Sequence, residues 1–258
     1  MTGALDAGEL SRIEDAGLNA SAPPQQLWLD GWLVRFSAGK AKRARCINAV
    51  AVGRMPVADK LAQAAAVFRD AGLPMVVRLT PFSQPAGLDG MLAALGLQRF
   101  DDTLVLAARM ASMDLTASLP AGLHLQAAGP ADYAGIVGAL RESPPEQQRA
   151  HAERLAASPV PYRGWVLQRD GEVLACGQYA REGTMVGLYD VFTAPTARNQ
   201  GLSYALCAEL LRRAATEGAH TAYLQVDGGN SPALAVYRRL GFGDGYHYHY
   251  RSADPDLA

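Results

Sequence analysis

The chain has 258 residues, 49% of them hydrophobic and 19% charged, which is enough apolar material for the cores of one large or two ordinary domains. Its net charge of −1 at pH 7 gives no reason to expect nucleic acid or a membrane as a partner. A membrane-spanning helix needs about 18 consecutive apolar residues, and no apolar run in this sequence approaches that length. Acidic residues stand where a signal peptide would need an apolar core, so we expect a cytoplasmic protein.

The three cysteines, Cys46, Cys176 and Cys207, are odd in number and lack the spacing of a metal or redox site. We expect them to be reduced and buried, because a free cysteine behaves as a small apolar residue. Reduced thiols agree with a cytoplasmic location.

The first half of the chain alternates segments of strand and helix character, which predicts an α/β fold. It opens with a short helix over 8–16, followed by a linker. Further strands are predicted at 28–36, 44–52, 74–80 and 103–107, and further helices at 57–70 and 88–95.

A basic run, Lys40-Ala-Lys-Arg-Ala-Arg45, falls in a predicted hairpin of this half. The sequence is compatible with a solvated turn at this run and with a contact between the run and an anionic substrate. Trp28 and Trp32 are expected in the core or in a domain interface rather than in a substrate platform.

The second half follows a similar order, with a hairpin predicted at Asp170-Gly171. Other strands are predicted at 122–126, 188–193, 221–226 and 246–250, and helices at 132–140, 145–157, 203–217 and from Ser231, as N-cap, to Gly241. In the last strand the tyrosines share one face and the histidines the other. His247 and His249 lack further ligands at metal-site spacing, so we expect no metal.

The most informative stretch follows the strand at 188–193. Pro195 ends that strand, and the residues from Arg198 to Ser203 lead through Gly201 into a long helix. Such a turn presents backbone N–H groups at a helix N-terminus, where the helix dipole favours an anion. Arg198 adds a positive charge, and Gly201 lets the backbone approach a bulky phosphate. The predicted ligand is a pyrophosphate.

This loop lacks the Gly-Lys-Ser/Thr of a Walker loop and the three glycines of a dinucleotide fingerprint. Arg198-Asn-Gln-Gly201-Leu-Ser203 instead resembles the coenzyme A loop of the GNAT acetyltransferase superfamily, Arg/Gln-x-x-Gly-x-Gly/Ala, with serine at the last position. A second signature of that superfamily, Asn-x-x-Ala-x-x-x-Tyr-x-x-x-Gly-Phe, is matched by Asn230, Ala233, Tyr237, Gly241 and Phe242.

The resemblance implies a mixed, mostly antiparallel sheet flanked by helices, with a central strand that splays from its neighbour. It also implies acetyl-CoA (coenzyme A) as the cofactor, whose pantetheine arm would lie in the gap and pair with main chain. The cofactor-binding residues that it implies are Val191, Phe192, Thr193, Arg198, Asn199, Gln200, Gly201, Leu202, Ser203, Asn230 and Tyr237.

Acetyl transfer to an amine by direct attack, through a tetrahedral intermediate, needs a base, an oxyanion donor and an acid for the departing thiolate. Tyr237 is the candidate acid, with a purely structural tyrosine as the alternative. A backbone N–H near Phe192 or Thr193 is the candidate oxyanion donor. Asp190 is the candidate base, with a chain of waters as the alternative.

The two halves show an internal repeat, in which helix 57–70 corresponds to helix 203–217 and Gly31-Trp32 to Gly164-Trp165. We interpret residues 1–112 as a degenerate GNAT-like N-terminal module and residues 113–258 as the catalytic module. The corresponding segment of the first half, from Gly53 to Val57, has no glycine-led turn into its helix. Two unrelated α/β domains remain the alternative.

The sequence thus predicts an N-acetyltransferase that moves an acetyl group from acetyl-CoA to a small-molecule or peptide amine. A non-catalytic acyl-CoA sensor or interaction module is the alternative, and an enzyme that uses ATP or a dinucleotide is a third. The identity of the acceptor, the acyl chain length and homodimer formation stay open.

Overall fold

The structure is a computed structural model and describes residues 5–39 and 41–256. These residues form two compact units, each built from two segments of the chain. The larger unit comprises residues 5–20 and 105–245, and the smaller unit comprises the described residues of 21–104 and 246–256. The modules predicted at 1–112 and 113–258 are continuous segments and stay a prediction.

Helices and strands cover most of both units. The helices are α1 (Ala7–Ala20), α2 (Val57–Asp70), α3 (Leu88–Ala94), α4 (Pro130–Leu140), α5 (Pro145–Ala157), α6 (Leu202–Thr216) and α7 (Ser231–Leu240). The strands are β1 (Gln26–Leu29), β2 (Trp32–Arg35), β3 (Ile47–Ala49), β4 (Val76–Leu79), β5 (Gln98–Arg109), β6 (His124–Ala128), β7 (Tyr162–Arg169), β8 (Glu172–Glu182), β9 (Met185–Thr193), β10 (Thr221–Asp227) and β11 (Gly243–Ser252).

The larger unit contains a mixed sheet flanked by helices, as the sequence predicts. Its strands lie in the order β5-β10-β9-β8-β7-β6, to which β5 contributes its residues from Val105 onwards. Neighbours from β6 to β9 are antiparallel, whereas β9 and β10 are parallel. The long crossover that a parallel pair requires is supplied by α6.

Helices cover both faces of this sheet. Successive residues of a strand point to opposite faces. Gly177 of β8 faces Leu206 and Leu210 of α6, whereas its neighbour Cys176 packs in a buried cluster with Tyr133 of α4. The helices α4 and α5 therefore lie on the face opposite to α6.

Strand β9 carries a bulge and then separates from β10. Gln178 pairs with Tyr189 and Cys176 pairs with Phe192, so two residues of β9 stand opposite Gly177 alone. The pairing of β9 with β10 ends at Leu188 and Leu224, although both strands continue beyond it. This is the splayed central strand that the family resemblance implies.

The smaller unit contains strands in the order β1-β2-β3-β4-β11-β5, to which β5 contributes its residues up to Leu104 and β11 those from Tyr246 onwards. Its buried core joins α2 and α3 to β2, β3 and β4, with Trp32, Phe68 and Leu92 among its largest side chains. Strand β11 pairs with β4 from His249 opposite Leu79 to Ser252 opposite Val76. The tyrosines of β11 are buried, which confirms the predicted alternation of its faces.

Both units follow one order of elements. In each, a hairpin with an Asp-Gly turn leads to a third strand, a helix and a fourth strand parallel to the third. Asp30-Gly31 and Asp170-Gly171 form the two turns with positive φ values. The predicted pairing of Gly31-Trp32 with Gly164-Trp165 is wrong, since Gly31 lies in its turn and Trp32 follows it, whereas Gly164 and Trp165 lie on the strand before the second turn.

Other expectations fall on individual side chains. Trp32 is buried as expected, but Trp28 is 64% exposed on β1.

In the basic run, Lys42 pairs with Asp101 at 2.8 Å and the Nε atoms of Arg43 and Arg45 are buried, so this part of the run is not a solvated turn. Lys40 lies outside the described residues.

Two further findings concern the state of the cysteines and the length of the helices. All three cysteines are buried, as predicted. In the part of the chain that the structure describes, every helix is too short or too polar to cross a membrane.

Candidate active site

The Gly201 loop, by which we mean residues 198–203, leads into α6 in the larger unit. Gly201 is the N-cap with a φ of 73°, and Asn199 has a φ of 62°. No side-chain hydrogen bond caps this helix, and the space beside Gly201 is open. The N–H groups at the start of α6 are therefore available to an anion, in an exposed position beside Arg198.

The splayed end of β9 lies next to this loop. Its residues Val191, Phe192 and Thr193 are half-buried. Two guanidinium groups flank the Phe192 ring, that of Arg141 at 5.5 Å and that of Arg198 at 5.8 Å from its centroid. Phe192 thus stands between the Gly201 loop and the side chains on the α4 and α5 face.

Helix α7 presents the candidate acid. Tyr237 is buried, with its ring 6.1 Å from that of Phe242. Burial raises the pKa of the Tyr237 phenol above its usual value, and the nearby Cys207 raises it further. Among the described residues no group hydrogen-bonds its hydroxyl, which leaves the O–H group for a ligand.

The start of α7 differs from the prediction that Ser231 is its N-cap. The N-cap is Asn230, whose Oδ1 accepts a hydrogen bond from the N–H of Ala233 at 3.2 Å. Asparagine is a favourable N-cap because its side-chain oxygen reaches the third helical N–H. The amide NH2 of Asn230 is the part of its side chain left for a ligand.

Asp190 forms the centre of a polar cluster on the α4 and α5 face. Its carboxylate accepts hydrogen bonds from Gln178 Nε2 at 2.8 Å and Arg141 Nη1 at 3.0 Å. His151 Nε2 of α5 lies 3.1 Å from the Asp190 Oδ2 atom. These four residues are called the Asp190 cluster below.

The bulge in β9 makes this cluster. Asp190 adopts a φ of 48°, in the left-handed region, which turns its side chain toward α5. Its backbone carbonyl accepts a hydrogen bond from the Tyr133 hydroxyl at 3.0 Å. A tyrosine of α4 therefore holds the strand at the point where it separates from β10.

The electrostatics of Asp190 bear on its predicted role as base. Burial alone would raise the pKa of this carboxyl, but the contact with His151 and the positive charge of Arg141 outweigh burial. The pKa of Asp190 is therefore held well below its usual value. A carboxylate stabilised in this way is a weak proton acceptor.

Arg141 connects the cluster to the candidate acid. Its guanidinium lies within range to act electrostatically on the Tyr237 phenol as well as on Asp190. Arg141 therefore links the Asp190 cluster to Phe192 by direct contact and to Tyr237 by its charge.

Nothing in the sequence singles out Arg141, His151 or Gln178 as site residues. They belong to α5, β8 and the end of α4, and they meet only because the bulge turns Asp190 toward them. The break between the two predicted helices is the one local signal, since it places polar residues beside a helix end.

No group of three or more His, Cys, Asp or Glu side chains within residues 5–39 and 41–256 could hold a metal ion. His249 Nε2 is instead 2.8 Å from Asp89 Oδ1 in the smaller unit.

Residues 133–242 match the model of the Acetyltransferase (GNAT) family. The matched segment contains the Asp190 cluster, the Gly201 loop and Tyr237.

Curated relatives carry acetyltransferase names. A mycothiol acetyltransferase of Streptomyces avermitilis is 33% identical over 162 residues, which are 57% of this chain and 52% of the relative. A mycothiol acetyltransferase of Actinosynnema mirum is 30% identical over 184 residues, or 67% of this chain and 61% of the relative. The matches thus span between half and two thirds of these relatives. The uncharacterized N-acetyltransferase YobR of Bacillus subtilis is 26% identical over 85% of this chain and 89% of its own.

Solved structures share the fold. A GCN5-related N-acetyltransferase from Kribbella flavida has a TM-score of 0.70 at 19% identity and covers 97% of both chains. A tandem GNAT protein from the clavulanic acid biosynthesis pathway has a TM-score of 0.63 at 17% identity, over 77% of this chain and 70% of its own. At these identities the solved structures show the fold that the chain shares with them.

Proposed function

We propose that the chain is a GNAT N-acetyltransferase whose larger unit moves an acetyl group from acetyl-CoA to an amine. The observation that carries this proposal is the uncapped start of α6 beside a strand that separates from its neighbour. The first feature suits a pyrophosphate and the second leaves backbone groups for a pantetheine arm.

The residues of the larger unit fit the cofactor at three points. The N–H groups of the Gly201 loop and the Arg198 guanidinium would hold its phosphates. The splayed residues Val191, Phe192 and Thr193 would line its arm, and the amide of Asn230 would approach from α7. When bound, acetyl-CoA supplies the acyl group as a thioester.

The protein's own groups have distinct tasks in the transfer. A backbone N–H near Phe192 or Thr193 would donate to the oxygen that gains negative charge, a contact that typically contributes about 3 kcal/mol. Tyr237 would give its proton to the departing sulfur. Burial raises the pKa of this phenol, so it carries its proton at neutral pH.

The smaller unit, we propose, binds no second cofactor. At the position that corresponds to the Gly201 loop, the Asp30 carboxylate accepts hydrogen bonds from the N–H groups of Arg54, at 2.8 and 2.9 Å, and Met55, at 2.7 Å. The buried Lys60 ammonium lies 3.1 Å from the same carboxylate. An internal anion therefore takes the place that a phosphate would need, which supports the interpretation of this module as degenerate.

The test is release of free thiol from acetyl-CoA in the presence of a panel of primary amines. The panel includes amino acids, polyamines, aminoglycosides and peptides with a free N-terminus. The proposal expects thiol release that requires one class of amine. Binding of acetyl-CoA without thiol release in any reaction would instead indicate the non-catalytic acyl-CoA sensor.

A further inference from the structure

We propose that His151, positioned by Asp190, is the base that takes the proton from the attacking amine. This inference rests on the proposed acetyl transfer in the larger unit and adds the proton acceptor that the transfer requires. It also changes the part of Asp190 from base to positioning residue.

Asp190 is poorly placed to act as the base itself. Gln178 and Arg141 donate hydrogen bonds to its two carboxylate oxygens at 2.8 and 3.0 Å, and His151 contacts one of them at 3.1 Å. Protonation of the carboxylate would disrupt these charge-assisted contacts. Transfer of an amine proton to Asp190 would therefore remove the negative charge that holds the Asp190 cluster together.

His151 has the properties of a base held by a carboxylate. Its side chain is 16% exposed, which limits competition from bulk water but leaves part of the ring accessible. Its Nε2 atom is buried 3.1 Å from Asp190 Oδ2 without completing a hydrogen bond, and its Nδ1 atom has no hydrogen-bond partner among the described residues and remains for a proton transfer. An imidazole beside a carboxylate is a recurrent arrangement for general bases, because the carboxylate orients the ring and stabilises the imidazolium that forms.

The charged groups around His151 come from three elements. Asp190 faces it from β9, Arg141 from the end of α4, and Arg154 follows on its own helix and acts on the same carboxylate. Gln178 from β8 is neutral. The two arginines place positive charge beside the Asp190 carboxylate that faces His151.

The proton balance of the transfer closes with these groups. The ammonium form of the amine gives one proton to a ring nitrogen of His151, which later releases it to solvent. The amine lone pair then forms the C–N bond, the C–S bond breaks, and the sulfur takes the proton of Tyr237. The second amine proton restores the Tyr237 hydroxyl.

The experiment compares the parent enzyme with His151→Gln and with His124→Gln, an exposed histidine on β6 that serves as a matched control. kcat is measured from pH 5 to pH 10, together with the Kd for acetyl-CoA and the melting temperature. We expect His151→Gln to lower kcat at pH 7 by about 100-fold or more. Its Kd and melting temperature should match those of His124→Gln.

The pH profile supplies the readout that a merely structural role would not change. The parent should lose activity as the pH falls between about 8 and 5, where an imidazole gains its proton. That acidic limb should be absent from His151→Gln, whose rate should rise toward pH 10 as the amine loses its own proton. Added imidazole should restore part of the lost rate.

Asp190→Asn keeps the shape of the side chain and removes its charge. We expect it to lower kcat while the acidic limb remains and shifts to lower pH, because the neutral amide stabilises the imidazolium less.

An unchanged kcat and acidic limb in His151→Gln, in an enzyme that acetylates amines, would overturn this inference and leave the proposed function intact. Failure of the parent to release thiol with any amine would overturn both. If His151→Gln lowers the melting temperature, His151→Asn is measured in its place against the same two outcomes.

Discussion

At the scale of single residues, two tyrosines with raised pKa values have different surroundings. Tyr237 has no hydrogen-bond partner among the described residues, whereas the Tyr179 hydroxyl donates to Glu217 at 2.8 Å near the far end of α6. A hydroxyl that makes no hydrogen bond within the protein is available to a ligand, whereas the Tyr179 hydroxyl is already engaged in the fold. This contrast is the reason for proposing Tyr237, and not Tyr179, as the acid.

Tyr237→Phe should lower kcat by about 100-fold, because the departing sulfur loses its proton donor while the ring still fills its site. The Kd for acetyl-CoA should change little. Tyr179→Phe is the matched control and should retain the parent kcat. Steady-state thiol release measures both, and a Tyr237→Phe enzyme as fast as the parent would assign that role to solvent.

The Asp89 carboxylate of the smaller unit is held by two side chains of β11. Hydrogen bonds from Arg251 at 2.6 Å and from His249 lower the pKa of its carboxyl to about 2, against the opposing effect of burial. The unfolded carboxyl has a pKa of about 3.9, so the stabilisation is complete above that pH and is lost as the pH falls toward 2.

Asp89→Asn should therefore lower the free energy of unfolding at pH 6 by less than about 1 kcal/mol, since the carboxylate is partly exposed and screened. The difference from the parent should vanish near pH 2. Urea unfolding at both pH values measures it. Asp59→Asn, in the first turn of α2, is the control, and a pH-independent effect of Asp89→Asn would exclude the ionic explanation.

At the scale of elements, the sequence predicts more of the fold than of the site. Helix α2 spans the predicted residues 57–70, and the Asp170-Gly171 hairpin occurs where predicted. Such elements follow from local periodicity and turn chemistry. The bulge at Asp190 depends on a shift in pairing between β8 and β9, which no local pattern records.

The same reason explains which site residues the sequence missed. The Gly201 loop and Tyr237 belong to contiguous motifs, so a family resemblance finds them. His151 lies 39 residues before Asp190 in the sequence and meets it only across the sheet face. Asp30 reaches Arg54 through a turn and a loop in the same manner.

Gly187 allows the close packing of two tyrosines where β9 and β10 separate. A Cβ atom there would lie 2.6 Å from ring atoms of both Tyr189 and Tyr223, whose hydroxyls are 2.8 Å apart. Gly187→Ala should lower the free energy of unfolding by about 1–3 kcal/mol through overpacking.

Urea unfolding tests this prediction against Gly135→Ala, because a Cβ at Gly135 in α4 meets no atom within 4 Å. That control should leave stability unchanged or raise it by up to about 1 kcal/mol. Equal effects of the two substitutions would contradict the packing argument.

In the molecule as a whole, the two units share one order of elements. They differ in the loop that joins the third strand to the helix that follows it. In the larger unit that loop is uncapped and exposed. In the smaller unit, burial of Lys60 and the hydrogen bonds from Arg54 and Met55 fix the Asp30 carboxylate there. The hydrogen bond from Met55, and to a smaller extent that from Arg54, lowers the pKa of the Asp30 carboxyl. Asp30 therefore remains a carboxylate.

The central claim is that one acetyl-CoA binds, at the Gly201 loop. Calorimetric titration of acetyl-CoA into the parent, Arg198→Glu and Arg54→Glu tests it most directly, with NAD and ATP as control ligands. We predict one equivalent per chain, affinity about tenfold weaker in Arg198→Glu, which is about 1.4 kcal/mol, and unchanged affinity in Arg54→Glu. Two equivalents per chain, equal losses in both variants, or no binding by the folded parent would contradict the account.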